Sequence, residues 1–272
     1  MIDSNGIDWE DAFSNGSYVP YRLGFPEIWT IRAAAFRERT PCELDLPYGG
    51  HPREMLDLFF PGGNSKGLAV FIHGGYWLDF DKSSWSDLAE GALRRGWTVV
   101  MPSYTLAPEA SIPDVTRQVS RAIALAADKI EGNIRIAGHS AGGHFATRMI
   151  CEDTPLPPEV AARVERVVSI SGLHDLRPLR LNSMNNQLGL DADTATAESP
   201  ALDSPFPDIE VTAWVGGRER PEFLKKSALL VENWRLKGLR RRRVVDDDRH
   251  HFDVVDGLKD ADHPLALAFA GD

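Results

Sequence analysis

Ser140 is the residue best placed for covalent chemistry. It is the centre of the pentapeptide GHSAG, Gly138–Gly142. The apolar run 134–137 precedes this pentapeptide and a helical pattern follows it, which is the strand–turn–helix setting that a nucleophile elbow requires. The flanking glycines permit the sharp backbone turn that lifts a serine side chain clear of a sheet. We therefore predict that Ser140 is a nucleophile.

A serine nucleophile needs an imidazole that accepts its proton and a carboxylate that orients the imidazole. In hydrolases with this kind of elbow, the acid follows a later strand and the histidine lies near the C-terminus. Glu219 follows the predicted strand 211–215 and is the favoured acid, and Asp175, in the loop after the preceding strand, is its rival. His250 and His251 both follow the last predicted strand, and spacing alone does not separate them.

Two further histidines, His139 and His144, flank the nucleophile. They lie on or beside the helix that the serine begins, where a side chain cannot easily face the hydroxyl. We expect them to pack in the core or to line the pocket.

The segment 73–76, with the sequence HGGY, predicts a site for a developing negative charge. It follows the apolar run 68–72, as do the HGGG-type loops whose backbone N–H groups bind an oxyanion. The residue after the nucleophile would add a second donor. We expect this segment and the backbone N–H of Ala141 to form an oxyanion hole.

Composition excludes several other functions. The formal net charge of −10 opposes non-specific binding to nucleic acid or to anionic lipid. The two cysteines, Cys42 and Cys151, are far apart and form no CxxC pattern, so neither a disulfide framework nor a zinc site is expected. The first residues lack the basic and apolar regions of a secretory signal, and no run reaches transmembrane length. We expect a soluble, cytoplasmic protein.

Strand and helix patterns alternate along the chain. An opening hairpin is predicted at 42–46 and 54–60, and strands at 68–72, 98–101, 134–137, 164–170, 211–215 and 239–245. Helices are predicted at 26–39, 82–95, 113–129, 141–152 and 221–236. This alternation predicts an α/β fold with a mostly parallel sheet covered by helices on both faces.

The length of 272 residues suits a single domain that spans 1–272. The interval 175–208 is rich in Asn, Asp, Ala, Ser and Pro and has no strand signal, so we interpret it as a small cap that crosses above the sheet. The stretch before residue 40 mixes aromatic and polar residues, and we expect it to cover an edge or a pocket.

Five motifs together resemble the kynurenine formamidase (arylformamidase) and esterase branch of the α/β-hydrolases. They are His73–Trp77, Ser103–Pro108, Gly138–Gly143, Ser171–Leu176 and His251–Asp253. The HGGYW form of the first motif is more specific than GxSxG, and the resemblance spans most of the chain.

The resemblance implies roles for particular residues. The family's triad histidine directly precedes a phenylalanine, which selects His251 over His250. Its acid precedes a Ser-Pro-Glu-Phe-like segment, and here Glu219 precedes the segment 220–223, which reads RPEF. The family's usual residue at the acid position is aspartate. Glutamate keeps the carboxylate there, but its side chain is one methylene longer and so reaches further. The family's hole donors correspond to Gly75, Tyr76 and Ala141, and Gly74 would shape the turn of the oxyanion hole.

The expected reaction is hydrolysis through an acyl-enzyme, of N-formylkynurenine or of a small ester, without a metal or an organic cofactor. A carboxylesterase for short acyl esters is the alternative, and a hydrolase-fold protein that only binds ligand is a third hypothesis. Tyr76, Trp77 and Tyr104 are candidate neighbours of an aromatic leaving group. They could equally be packing residues, and core packing is favoured for Trp77. The expected partner is a small-molecule acyl substrate, and a homodimer is left open.

Overall fold

The computed structural model of the protein describes residues 6–237 and 239–272. Its strands are β1 Cys42–Pro47, β2 Met55–Phe59, β3 Gly67–Ile72, β4 Thr98–Pro102, β5 Asn133–His139, β6 Val164–Ile170, β7 Glu210–Gly216 and β8 Arg240–Asp246. They form one sheet in the order β1-β2-β4-β3-β5-β6-β7-β8. Strand β2 is antiparallel to β1 and β4, and the other neighbours are parallel. The predicted α/β fold with a mostly parallel sheet is confirmed.

The α-helices of the described residues are Trp9–Ala12, Phe25–Arg39, Glu90–Arg94, Ile112–Lys129, Ala141–Arg148, Pro158–Ala161, Asn185–Leu188, Ala192–Ala197, Pro221–Asn233 and Pro264–Ala270. Short 3-10 helices lie at Asn15–Tyr18, Arg22–Gly24, Lys82–Ser84, Ser86–Ala89, Arg177–Leu181, Pro200–Leu202, Trp234–Lys237 and Val254–Lys259. Within this described part of the chain, every helix is too short or too polar to cross a membrane.

Helices cover both faces of the sheet, and strand β3 shows why. All six of its residues are buried, as expected for a central parallel strand. Because side chains alternate along a strand, Leu68, Val70 and Ile72 join one core cluster, which includes the buried face of the helix 112–129. Ala69 and Phe71 join a second cluster with residues of the helices 25–39 and 264–270. The sheet is therefore held rigidly between two apolar layers.

Three predicted helices differ from the observed ones. The segment 82–95 is broken into two 3-10 turns, and only Glu90–Arg94 is α-helical. The break lies at Trp85, whose ring packs 4.6 Å from the ring of Trp29, so tertiary packing overrides the local helical pattern. The helix predicted at 141–152 ends at Arg148, and Cys151 instead forms a bridge with Pro205. The α-helix predicted to reach 236 ends at Asn233 and continues as a 3-10 turn.

The segment 175–208 contains only short helices, together with the bridge at Pro205. It leaves the sheet after β6 and returns at β7. Its interpretation as a cap remains a prediction.

Candidate active site

Ser140 lies in the turn between strand β5 and the helix Ala141–Arg148. Its φ of 56° and ψ of −116° are unusual for a residue with a Cβ, and strain of this kind is common at active sites. A Cβ on Gly138 would lie 2.0 Å from the carbonyl oxygen of Gly142, and one on Gly142 would lie 1.9 Å from that of Ile72. Both elbow glycines are therefore required by close backbone approach.

The structure brings Glu219 and His251 together. Glu219 follows β7 and His251 follows β8, and both side chains are buried. Glu219 Oε2 lies 2.6 Å from His251 Nδ1. Since a carboxylate only accepts hydrogen bonds, Nδ1 carries the proton and Nε2 is left with a lone pair. This is the tautomer that a general base for a serine requires.

Glu219 is itself held by two donors. Its Oε1 accepts hydrogen bonds from the backbone N–H of Gly216, at 2.8 Å, and from the hydroxyl of Ser171. These contacts orient the carboxylate toward His251. Ser171 belongs to one of the five motifs, but the sequence alone predicted no role for it.

The rival residues are engaged elsewhere. Both carboxylate oxygens of Asp175 accept hydrogen bonds at 2.9 Å from the guanidinium of Arg177. Although burial opposes ionisation, the hydrogen bonds from Arg177 and the charge of Lys226 hold the pKa of Asp175 below its usual value. His250 Nδ1 lies 3.1 Å from Asp253 Oδ1. The geometry therefore favours Glu219 over Asp175 and His251 over His250.

Ser140 and His251 line the same cavity, which has a volume of about 430 Å³. The described contacts contain no direct hydrogen bond between these two side chains, and such bonds often tighten only when substrate binds. Each residue thus reaches the space where a substrate carbonyl would lie.

The predicted oxyanion loop lies beside the nucleophile. Gly75 has a φ of +111°, and a Cβ there would lie 2.3 Å from the carbonyl oxygen of Asp79, so only glycine fits this turn. A Cβ on Gly74 would lie 3.0 Å from that of Ser140. The backbone N–H groups of Gly75, Tyr76 and Ala141 donate no hydrogen bond to any residue that the structure describes. These donors remain available to an oxyanion.

Aromatic side chains form much of the cavity wall. They are Phe13, Trp29, Tyr76, Phe80, Trp85 and Phe252. Only Tyr76 was expected from the sequence. The others come from distant parts of the chain, and only Phe252 had a local signal, because it directly follows the predicted base.

Trp77 and Tyr104 are not among the described residues that line the cavity. Trp77 is fully buried and packs edge-on against His144. Tyr104 stacks on the ring of His73 at 4.3 Å, and its hydroxyl donates to the carbonyl of His73 at 3.0 Å. Of the two alternatives for Tyr104, the structure therefore shows packing, and core packing is confirmed for Trp77.

Two segments outside the sheet also contribute to the cavity wall. The N-terminal segment contributes Glu10, Ser14, Asn15, Gly16, Ser17 and Arg22, and the segment after β6 contributes Asn182, Ser183 and Met184. Of the two alternatives for the first stretch, an edge or a pocket, the structure shows that it lines a pocket.

The histidines that flank Ser140 behave as expected. His139 lines the cavity, with its ring 4.6 Å from the ring of His251. His144 is fully buried, and its Nε2 lies 2.7 Å from the carbonyl oxygen of Glu198. Burial lowers the pKa of His144 to about 3, so its imidazole is neutral.

Other donor groups in the described part of the chain give no sign of a metal site. No cluster of three or more His, Cys, Asp or Glu side chains there has suitable geometry. Cys42 and Cys151 are both unpaired thiols.

Comparisons with known proteins agree with the α/β fold. The α/β-hydrolase fold family matches residues 69–204. A kynurenine formamidase from Danio rerio is 26% identical over 94% of this chain and 89% of its own length. A provisionally assigned thioesterase from Silicibacter sp. TM1040, whose crystal structure is known, is 46% identical, with a TM-score of 0.92 over 97% of this chain and 99% of that one. An esterase from Pyrobaculum calidifontis shares the fold, with 18% identity and a TM-score of 0.69 over 90% of this chain and 91% of that one.

Proposed function

Because this chain belongs to the α/β-hydrolase fold family, we propose that it is a serine hydrolase that cleaves aryl formamides such as N-formylkynurenine. Ser140 is the nucleophile, His251 the general base and Glu219 the acid that orients the base. The 2.6 Å contact between Glu219 and His251, beside the cavity that His251 shares with Ser140, is the observation that carries the proposal.

The first half of the reaction forms an acyl-enzyme. His251 Nε2 takes the proton of the Ser140 hydroxyl as the serine oxygen bonds to the formyl carbon. The carbonyl oxygen gains negative charge and is stabilised by the N–H groups of Gly75, Tyr76 and Ala141. The C–N bond then breaks, and the arylamine leaves with the proton that His251 returns to its nitrogen.

The second half of the reaction releases the carboxylic acid product from Ser140. Water gives a proton to His251 while its oxygen bonds to the formyl carbon. The bond from that carbon to the Ser140 oxygen breaks, the serine recovers its proton from His251, and formic acid leaves and loses its proton to the solvent as formate. No oxidation state changes, so the cycle needs no redox partner.

The cavity supports an aryl substrate. Its volume lies in the range of small-molecule sites, and aromatic walls such as those of Trp29, Trp85 and Phe252 favour a flat ring through offset or edge contacts. The relatives named kynurenine formamidase support the formyl group as the acyl part.

An ester or thioester hydrolase is the second candidate. It is favoured by the 46% identical relative described as a thioesterase and by the esterases that share the fold. The same triad would cleave such bonds, because esters and thioesters have less resonance stabilisation than amides and are attacked more readily by a serine.

We further propose that the protein acts in the cytoplasm on a small molecule, as a single domain over 1–272 with the cap at 175–208. The acidic net charge supports the absence of a nucleic-acid or membrane partner. Sedimentation at micromolar concentration would distinguish the monomer from a homodimer.

The test is a substrate panel for the purified protein. Steady-state kcat/KM is measured for N-formylkynurenine, p-nitrophenyl acetate and an acetyl thioester, with Ser140→Ala as the blank. Preference for the formamide supports the proposal. Serine-dependent turnover of the ester or thioester alone would replace it with the second candidate.

A further inference from the structure

His139 is a buried polar side chain without a partner. It is 4% exposed, and neither of its ring nitrogens makes a hydrogen bond within the described residues. It directly precedes Ser140 and lines the same cavity. A buried imidazole of this kind needs an external partner, because an unmade hydrogen bond in the interior is unfavourable.

The protonation state of His139 limits what that partner can be. Burial, and next the neighbouring His251, lower the pKa of His139 well below its usual value, so the ring is neutral. A neutral imidazole has one N–H group and one nitrogen with a lone pair. The lone pair of His139 can therefore accept a hydrogen bond from a donor group in the cavity.

We infer that His139 accepts a hydrogen bond from the scissile N–H of a bound formamide and so determines the preference for formamides over esters. The inference rests on the proposed function of Ser140. An ester has no N–H at this position, and its oxygen would present a lone pair to the lone pair of His139.

The contact also serves the leaving step. The rings of His139 and His251 are 4.6 Å apart, so the two side chains can face the same leaving nitrogen. If the N–H of the tetrahedral intermediate is held at His139, the nitrogen lone pair is free for the proton from His251 as the C–N bond breaks. In an aryl ester the leaving group is a phenolate, which can depart without a proton. Its departure therefore depends less on this alignment.

The test compares formanilide with phenyl formate, which differ only in N–H against oxygen at the scissile position. The ratio of their kcat/KM values is measured for the wild type, His139→Phe and His139→Asn, with spontaneous hydrolysis subtracted. Effects on Ser140 or His251 that are common to both substrates cancel in this ratio. We expect His139→Phe to lower the ratio about 10- to 100-fold. His139→Asn, whose amide oxygen is an acceptor, should recover part of it.

An unchanged ratio in His139→Phe would overturn the inference. Loss of both activities in both variants would also overturn it, because His139 would then act on the triad and not on the scissile N–H. If the wild type cleaves phenyl formate but not formanilide or N-formylkynurenine, the proposed function itself fails, which is a separate result.

Discussion

At the scale of single residues, the longer reach of Glu219 fits the loop that carries it. One carboxylate oxygen lies against His251, and the other accepts hydrogen bonds from Gly216 and Ser171. The backbone N–H of Glu219 donates to the carbonyl of Gly216, which closes a tight turn after β7. The additional methylene therefore spans the distance from this turn to the imidazole.

Exchange of Glu219 for glutamine tests its role. Glu219→Gln keeps the size of the side chain but removes the charge that fixes the tautomer of His251 and stabilises the imidazolium. We expect kcat for the preferred substrate to fall by about 100- to 10,000-fold. Asp175→Asn is the matched control, because Asp175 pairs with Arg177, and kcat should stay within about threefold. A larger loss in Asp175→Asn than in Glu219→Gln would reverse the assignment of the acid.

At the scale of elements, the N-terminal segment is attached to the catalytic loops. The hydroxyl of Tyr76 donates to the carbonyl of Phe13 at 2.6 Å. The guanidinium of Arg220, the residue after Glu219, pairs with Asp11 and lies 4.0 Å from the centre of the Tyr18 ring. The segment that closes the cavity thus also supports the loops of the oxyanion donors and of the acid.

Loss of the Asp11 charge should therefore weaken substrate binding. Asp11→Asn removes the ion pair with Arg220 but leaves the triad in place. We expect KM for an aryl substrate to rise about three- to tenfold while kcat changes less than about twofold. The control is Glu90→Gln, which removes the surface pair with Arg39 and should change neither constant. A fall in kcat without a change in KM would contradict a role of this segment in binding.

The sequence predicted the elements whose signals are local. The run 68–72 and the GHSAG turn each contain their own pattern. The position of Glu219 after a predicted strand favoured it as the acid, and resemblance to a family selected His251. The sequence did not predict the aromatic wall of the cavity. Trp29 and Trp85 reach the cavity through long-range packing, which leaves no pattern in the local sequence. The same contact explains why the helix predicted at 82–95 is broken.

At the scale of the whole molecule, buried neutral histidines link stability to pH. Burial lowers the pKa of His73 to about 4, of His144 to about 3 and of His174 to about 4. In the unfolded chain these imidazoles have a pKa of about 6.5. Between these values the unfolded state binds more protons than the folded state, so stability falls as the pH falls from about 6.5 toward 4.

Urea unfolding at pH 7.5, 6.5 and 5.0 measures this effect. We expect the free energy of unfolding to drop between pH 6.5 and 5.0 by up to about 2 kcal/mol for each of the three histidines. His144→Asn removes one of them, and its pH dependence should be shallower even if its stability at pH 7.5 is lower. A free energy of unfolding that is constant over this range would contradict the burial of neutral imidazoles.

The most direct test of the central claim is the hydrolysis of N-formylkynurenine by the wild type and by Ser140→Ala under identical conditions. Ser140→Ala removes only the nucleophilic oxygen, so its folding should be unchanged, and circular dichroism serves as the control. We predict stoichiometric release of formate by the wild type and a loss of kcat of about 1,000-fold or more in the variant. Formate release at the same rate by both proteins would contradict serine catalysis at this site.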